Sequence, residues 1–362
     1  MKIEDILSNL VEINTVKDKD NKKIIDYIED YLKKLGFITE YKTKCLVMSI
    51  GKNPILSFIG HTDVVSVTSN WNYPPFQLTK KQDKLIGRGT SDMKGGIAAF
   101  LYSLSKIDLK RVRNGIRICL TYDEELDFRG IKELVNKNID FCKYSIIAEP
   151  TDNYPCIGSK GLLEYELIFR GIAVHSSTPI VNESSNENSI KFLSDLLKLE
   201  NKFKKEKCDI FEVPYNTINI GVIKGGTNIC TTSDYTKVLL GFRITKNKED
   251  INYIKKYIEK LSKKYNKVEY KIKNEIVPFY NEDSIINYYE KVANKKRKPF
   301  FGVSEASFLD NNRLILGPGP ITAHEIDEYI TKTSLMETVD IYIKIIKKIC
   351  YWKFINKRIK IW

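Results

Sequence analysis

Residues 87–96, GRGTSDMKGG, constrain this chain more than any other stretch, because four glycines surround one carboxylate, Asp92. Glycine lets the backbone take left-handed turns and approach other atoms closely, which a Cβ atom would prevent. The apolar run 97–101 that follows predicts a buried helix leaving the turn. A capping Asp between a strand and a helix would give the same pattern, so this stretch alone leaves Asp92 either structural or a ligand.

Three short apolar runs elsewhere predict buried strands, and each run is followed by side chains that can bind a metal. The runs are 55–60, 116–122 and 144–147. The side chains that follow them are His61 with Asp63, Glu124 with Glu125, and Glu149. Because open α/β sheets bind ligands at the carboxyl ends of their strands, we expect these residues at one edge of a sheet.

The whole pattern predicts an α/β protein with a mixed sheet and a second, inserted domain. We expect residues 1–161 and 273–362 to form the first domain, which begins with two amphipathic helices and ends with a helix from about Ser334 to Cys350. Longer alternating strands begin at Leu162. They predict an inserted α+β domain of four strands and two helices over residues 162–272.

Composition argues against several other classes of protein. The formal charge of +13 would suit a nucleic-acid-binding protein, but lysines alternate with acids along the predicted helices, and the tail 353–362 is the one unbalanced basic run. We therefore expect no nucleic-acid partner. Glu4 and Asp5 interrupt the first residues and no 18-residue apolar stretch occurs, so we expect no membrane partner and a cytoplasmic location. Seven cysteines without a CxxC pair predict reduced thiols.

Histidine is rare in this chain, and each histidine follows a predicted strand. His61 and Asp63 form an H-x-D pattern, in which the carboxylate of Asp63 could hold the second ring nitrogen of His61 and fix its tautomer. Glu124 and Glu125 could supply one ligand and one free base, or they could be an acidic pair at a helix start. Two histidines and three acids together suit zinc, cobalt or manganese; they are His61, His324, Asp92, Glu125 and Glu149.

Nine motifs follow one another along nearly the whole chain. They are GHTDVV from residue 60, WNYPPF from 71, GRGTSDMKGG from 87, TYDEE from 121, AEP from 148, GSKG from 158, GIAVHSSTP from 171, GGTN from 225 and GPGPITAHEIDEY from 317. In order and spacing they resemble the zinc amidohydrolase and exopeptidase family that includes acetylornithine deacetylase, succinyl-diaminopimelate desuccinylase, aminoacylase and carboxypeptidase G.

The resemblance implies a zinc-exopeptidase-like catalytic domain that holds two Zn²⁺ ions, with Co²⁺ or Mn²⁺ as substitutes. Asp92 would bridge the ions, His61 and Glu149 would complete one site, and Glu125 and His324 would complete the other. A metal-activated water would then attack the amide carbonyl of a small N-acyl amino acid or short peptide.

The resemblance also implies roles for residues outside the ligand set. Glu124 would be the general base, beside the support of His61 by Asp63 that the H-x-D pattern already predicts. The inserted domain would dimerise and act as a lid, so that His175, with Asn228, would reach the active site of the other subunit in a homodimer. Arg243 would bind a substrate carboxylate, for which a guanidinium is suited.

Two classes of function stay open, an amide hydrolase and a catalytically dead homologue kept for binding. All five expected ligands and the base are present, which favours an enzyme. The sequence GVSEASFL followed by GPGPITAHEIDEY looks more like an acetylornithine deacetylase of amino-acid biosynthesis than a desuccinylase, whose turn usually reads Gly-Thr-Ser-Asp. A desuccinylase, a di- or tripeptidase and an aminoacylase remain the alternatives.

Overall fold

The computed structural model describes residues 1–265 and 267–351, so the predicted basic tail lies outside the described residues. The chain divides into two compact units. Unit 1 comprises residues 1–157, 281–300 and 304–362, and unit 2 comprises residues 158–280 and 301–303. No helix in the described ranges combines the length and apolar character needed to cross a bilayer.

The regular elements follow the predicted alternation of strands and helices. The helices are α1 (Ile3–Glu12), α2 (Asn21–Lys34), α3 (Lys94–Ser105), α4 (Arg129–Asn136), α5 (Ser185–Leu197), α6 (Leu199–Phe203), α7 (Lys248–Lys264), α8 (Ile285–Ala293) and α9 (Lys332–Cys350). The strands are β1 (Ile38–Lys42), β2 (Leu46–Ile50), β3 (Leu56–His61), β4 (Thr79–Lys81), β5 (Lys84–Ile86), β6 (Ile116–Thr121), β7 (Tyr144–Ile147), β8 (Cys156–Ser159), β9 (Gly161–Arg170), β10 (Thr217–Gly225), β11 (Tyr235–Ile244), β12 (Val268–Ile276), β13 (Phe279–Tyr280), β14 (Lys298–Phe300), β15 (Asn312–Ile315) and β16 (Tyr329–Thr331).

A mixed sheet forms the centre of unit 1, with neighbouring strands in the order β1-β2-β6-β3-β7-β15. The strands β6, β3, β7 and β15 are parallel to one another, whereas β2 pairs antiparallel with both β1 and β6. Because parallel strands end on the same side, the carboxyl ends of β3, β6 and β7 meet at one edge. This is the mixed α/β architecture that the sequence predicted.

Helices cover this sheet because its central strands are apolar on both faces. Every residue of β3 and of β6 is buried. Phe58 of β3 stacks on Phe100 of α3 and makes an edge contact with Tyr342 of α9. Burial on both faces is typical of parallel strands flanked by helices, and it makes β3 and β6 a rigid support for the residues at their ends.

Two glycines of the 87–96 stretch are needed for the close packing at the sheet edge. Gly89 has a φ of +85°, which disfavours any other residue. A Cβ atom on Gly96 would lie 2.1 Å from the carbonyl oxygen of Ala148, just beyond β7. The absence of a side chain at Gly96 therefore lets the start of α3 approach the end of β7.

Unit 2 contains a four-stranded antiparallel sheet in the order β10-β11-β9-β12. Alternate residues of β9 are buried, and they form a core with α5, α6 and α7. The predicted end of the inserted domain at residue 272 falls inside β12. That strand continues to Ile276 because its pairing with β9 resumes after a register shift and reaches Leu162.

Candidate metal centre

Six candidate metal-site residues lie in unit 1. His61 ends β3, Asp92 precedes α3, Glu124 and Glu125 follow β6, Glu149 follows β7, and His324 lies between β15 and β16. The parallel strands thus bring their acids and histidine to one edge of the sheet.

The carboxylate of Asp92 lies between two imidazoles. Its Oδ1 atom is 3.0 Å from Nε2 of His61, and its Oδ2 atom is 3.4 Å from Nε2 of His324. His61 is fully buried, whereas His324 is exposed. A carboxylate that faces a different histidine with each oxygen has the arrangement that a ligand shared by two ions needs.

The three glutamates surround the same two histidines. The Oε2 atom of Glu125 lies 2.9 Å from Nε2 of His324. Nε2 of His61 is 4.0 Å from Oε2 of Glu124 and 3.9 Å from Oε1 of Glu149. Glu124 and Glu149 are buried, whereas His324 is exposed.

Asp63 differs from its sequence prediction. Nδ1 of His61 bonds to the backbone carbonyl of Asp63 at 3.0 Å, while the carboxylate Oδ1 is 3.6 Å away. The Asp63 carboxylate instead accepts the backbone N–H groups of Glu124 at 3.3 Å and Glu125 at 3.2 Å. Because two amides engage this carboxylate, it supports the glutamate pair directly, and the carbonyl orients the histidine.

The protonation of the cluster follows from burial and from the neighbouring charges. Burial opposes a charge on His61, but the carboxylates of Asp63 and Asp92 outweigh it and hold the pKa of His61 well above its usual value. Hydrogen bonds to Asp92 and Glu125 raise the pKa of His324 to about 10. Burial would raise the pKa of Asp92, yet hydrogen bonds from the two histidines hold it below the usual range.

The glutamates are shifted in the opposite direction. Burial raises the pKa of Glu124 well above its usual value, and only the charge of His61 opposes this shift strongly. Burial, followed by repulsion from Asp92 and Glu124, also raises the pKa of Glu149. Several buried acids around two histidines cannot all carry their charge without cations.

Two further observations indicate that the cluster suits divalent ions. Ligand atoms lie within 4.8 Å of one another in two groups, His61 with Asp92 and Glu125, and His61 with Glu124 and Glu149. The Oε1 atom of Glu125 is buried and has no hydrogen-bond partner among the described residues. An unpartnered carboxylate oxygen in an acidic cluster is a donor ready for a cation.

Three further candidates lie in unit 2, namely His175, Asn228 and Arg243. His175 is exposed and forms an isolated antiparallel bridge with Thr231, close in sequence to Asn228. The backbone N–H of Ser177 donates to Nδ1 of His175 at 3.2 Å. A neutral His175 ring therefore carries its proton on Nε2, where it is a hydrogen-bond donor.

Arg243 is exposed on β11 and forms no ion pair with any residue that the structure describes. Its positive charge acts on Lys160. Sequence reasoning did not single out Lys160, although this residue lies in the GSKG motif. Burial lowers the pKa of Lys160, and the charge of Arg243 lowers it further. Two neighbouring cations would together attract a carboxylate.

Sequence reasoning also missed Glu305 and Lys94 near the cluster. Glu305 is fully buried in a 3₁₀ turn and accepts a hydrogen bond from Oγ1 of Thr121 at 2.6 Å. Lys94 is fully buried and donates to the carbonyl of Ile13 at 2.8 Å, and burial lowers its pKa to about 7. The only feature of the sequence that could have pointed to them is that each is a charged residue within a motif, Glu305 in GVSEAS and Lys94 in SDMKGG.

We predict that ion binding releases protons, because a metal takes only neutral imidazole while the pKa of His324 is about 10 in the free protein. Below that pH the imidazole of His324 must lose its proton before it can bind a metal ion. The affinity of the protein for the ion should therefore rise with pH from about 6 toward 10. Titration calorimetry of Zn²⁺ at pH 7 in two buffers of different ionisation heat should give at least about one proton released per chain. Identical heats in both buffers would contradict this prediction.

The chain is similar to known proteins over most of its length. The family model described as Peptidase family M20/M25/M40 matches residues 57–348. Acetylornithine deacetylase of Buchnera aphidicola subsp. Acyrthosiphon pisum (strain Tuc7) is 30% identical over 375 residues, covering 96% of this chain and 98% of that protein. A probable succinyl-diaminopimelate desuccinylase of Staphylococcus aureus (strain MRSA252) is 30% identical over 391 residues, covering 93% of this chain and 95% of that protein.

Solved structures share the fold at lower identity. A tripeptidase from Staphylococcus aureus superposes with a TM-score of 0.79 at 19% identity, over 96% of this chain and 97% of that chain. An M20 family metallo-carboxypeptidase from Sulfolobus solfataricus superposes with a TM-score of 0.78 at 19% identity, over 97% and 99%. The predicted α/β fold class is therefore confirmed.

Proposed function

We propose that this chain, which belongs to the peptidase family M20/M25/M40, removes the acyl group from an N-acyl amino acid in the manner of an acetylornithine deacetylase. As a member of that family it is a hydrolase of amide bonds. The observation that carries the finer proposal is the placement of Asp92 between His61 and His324, with Glu124 beside them.

In this proposal two divalent ions occupy the cluster. The expected metal is Zn²⁺, and Co²⁺ or Mn²⁺ could substitute for it. The ligands would be Asp92 for both ions, His61 and Glu149 for one, and Glu125 and His324 for the other. When bound, such ions polarise an amide carbonyl and lower the pKa of water. A ligand set of imidazoles and carboxylates without thiolate suits all three metals.

Glu124 is the proposed proton carrier. Its carboxylate is buried and lies 4.0 Å from His61, so it is held in the cluster without direct bonding to that ring. Because burial raises its pKa, Glu124 accepts a proton more readily near neutral pH than an exposed glutamate does. It would take the proton from the attacking water and deliver it to the nitrogen of the leaving amine.

We propose a substrate with a free carboxylate. Arg243, unpaired among the described side chains and close to Lys160, is the group that would bind it, since a guanidinium contacts a carboxylate through two N–H groups. The alternatives are a succinyl-diaminopimelate substrate, as the name of the second relative suggests, or a di- or tripeptide. We further propose a cytoplasmic location, which the seven free cysteines support.

We also propose that unit 2 dimerises and lends His175 to the other subunit. Strand β10 is at one edge of its sheet and is exposed along most of its length, with apolar Val222 and Ile223 open to solvent. Unpaired edges of this kind invite pairing with a second copy. The donor Nε2–H of His175 suits the stabilisation of a tetrahedral oxyanion.

Release of amine from a panel of substrates tests the function. Purified protein loaded with Zn²⁺ or Co²⁺ would be incubated with N-acetylornithine, N-succinyl-diaminopimelate, N-acetyl-lysine and several dipeptides, with a chelated sample as the control. We expect N-acetylornithine to give the highest kcat/KM. Faster cleavage of another member would reassign the substrate, and binding without any turnover would favour the catalytically dead homologue.

Subunit complementation tests the shared site. Glu124→Gln chains and His175→Ala chains, each inactive as a homodimer, would be mixed under conditions that allow exchange. If His175 of the partner subunit acts across the interface, each mixed dimer regains one working site, and equal mixing restores about one quarter of wild-type activity. If His175 acts within its own chain, no activity returns and the shared site is wrong.

A further inference from the structure

Glu328 binds the backbone of the turn that presents Asp92. Its Oε1 atom accepts the backbone N–H groups of Ser91 at 2.8 Å and of Asp92 at 2.9 Å. Its Oε2 atom accepts the N–H of Gly89 at 3.0 Å and Nη1 of Arg88 at 2.6 Å. Four donors on one carboxylate leave neither of its oxygens free for other partners.

The main chain of Glu328 adds to the same contact. Its carbonyl oxygen accepts the N–H of Gly87 at 2.8 Å and Oγ1 of Thr90 at 3.2 Å. The next residue, Tyr329, pairs with Ile86 in a small antiparallel sheet. The turn that carries Asp92 is therefore wrapped around a single glutamate that is 1% exposed.

The segment that contributes Glu328 also contributes His324. Oγ1 of Thr322 bonds to the carbonyl of Tyr329, and the N–H of Tyr329 donates back to Oγ1 of Thr322, which closes a loop around His324. The N–H of Thr322 donates to Oγ of Ser91 at 3.3 Å. The position of His324 relative to Asp92 thus depends on the contacts between these two segments.

Burial of an ion pair is a poor source of stability, because the loss of hydration offsets much of the attraction between the charges. Arg88 and Glu328 are both buried, so their pairing needs another explanation. Groups that hold metal ligands through hydrogen bonds commonly set the geometry of the ligands. The three backbone amides that Glu328 binds include that of Asp92 itself.

We infer that Glu328 is a positioning residue that holds Asp92 and His324 at a fixed spacing for ion binding. The inference rests on the proposed function, since it assigns a support to the proposed ligands. Glu328 touches no reacting group, and its effect would pass through the backbone of residues 87–92.

Metal binding and its spectrum test this role. Glu328→Gln keeps the size of the side chain but loses the charge and places a donor amide against backbone N–H groups. We expect Zn²⁺ affinity, measured by titration calorimetry, to fall by about 10- to 100-fold. The visible absorption of the Co²⁺ form should change in position or intensity, and at saturating metal kcat should fall more than KM changes.

Glu29→Gln is the matched control. Glu29 is also a buried carboxylate, bonded to Lys42 at 2.5 Å and Thr39 at 2.7 Å, but it lies on α2 and contacts none of the proposed ligands. Its substitution should lower thermal stability yet leave Zn²⁺ affinity and the Co²⁺ spectrum unchanged. If Glu328→Gln behaves in the same way, Glu328 is merely structural and the inference is overturned.

A milder variant covers the case in which Glu328→Gln does not fold. Arg88→Gln removes one of the four donors and leaves the three backbone bonds, so we expect a smaller loss of Zn²⁺ affinity, about threefold or more. Unchanged affinity would overturn the inference. Failure of the proposed function is distinct, because the unsubstituted protein would then bind Zn²⁺ without turning over any substrate, or would bind no Zn²⁺ or Co²⁺ at the cluster.

Discussion

Replacing Glu124 with glutamine should lower kcat by about 10² to 10⁴-fold and leave the metal content unchanged. The amide preserves the shape of the side chain and removes its ability to accept a proton. Glu124 is buried and has a raised pKa, as a proton carrier near neutral pH requires. Its backbone stays in place because the Asp63 carboxylate binds the Glu124 N–H at 3.3 Å, whatever the side chain.

The adjacent glutamate provides the matched comparison. Glu125→Gln should lower the content of bound metal ion. The Oε2 atom of Glu125 faces His324 at 2.9 Å, and its Oε1 atom is unpartnered among the described atoms, so both are available to an ion. Metal content by mass spectrometry and single-turnover rates would be measured for both variants. If Glu124→Gln empties a site while Glu125→Gln does not, the roles of the two glutamates are reversed.

Asp92→Ala should abolish both ion binding and turnover. Asp92 is the residue whose two carboxylate oxygens face both histidines, at 3.0 Å and 3.4 Å, so its removal takes a ligand from each proposed ion at once. The loss of a shared ligand should therefore exceed the loss of a ligand that serves one ion. Metal content after reconstitution and dialysis is the direct measurement.

His324→Ala is the control for Asp92→Ala, because His324 faces one side of the cluster and is exposed. We expect it to lose about one ion per chain and to keep the other. Circular dichroism of the metal-free variants would establish that both still fold. Substantial activity in Asp92→Ala, or equal ion loss in the two variants, would contradict a shared carboxylate.

Local sequence patterns predicted much of this fold because they record burial directly. The apolar runs that became β3, β6 and β7 could be recognised without any knowledge of their partners, and the acids after them identified the sheet edge. The end of the inserted domain could not be located in this way. Strand β12 extends past residue 272 because of its register with β9, a relation between distant segments.

Residue types alone also indicated the chemistry of the candidate site. Two histidines and four acids, in motifs that resemble a zinc hydrolase family, led to the prediction of a metal centre. The partner of each carboxylate was not predictable. Asp63 was expected to bind His61 through its carboxylate, but backbone amides of Glu124 and Glu125 occupy that group and the carbonyl replaces it.

The sequence by itself therefore determined which side chains are available and on which strand ends they stand, because periodicity and residue chemistry are local properties. Only the tertiary structure decided how those side chains are held. Glu328 bonds to the backbone of Ser91 from 237 positions away, and Glu305 bonds to Thr121 from 184 positions away. No local pattern marks a buried acid as the support of another residue, since that role exists only when folding brings the two segments together.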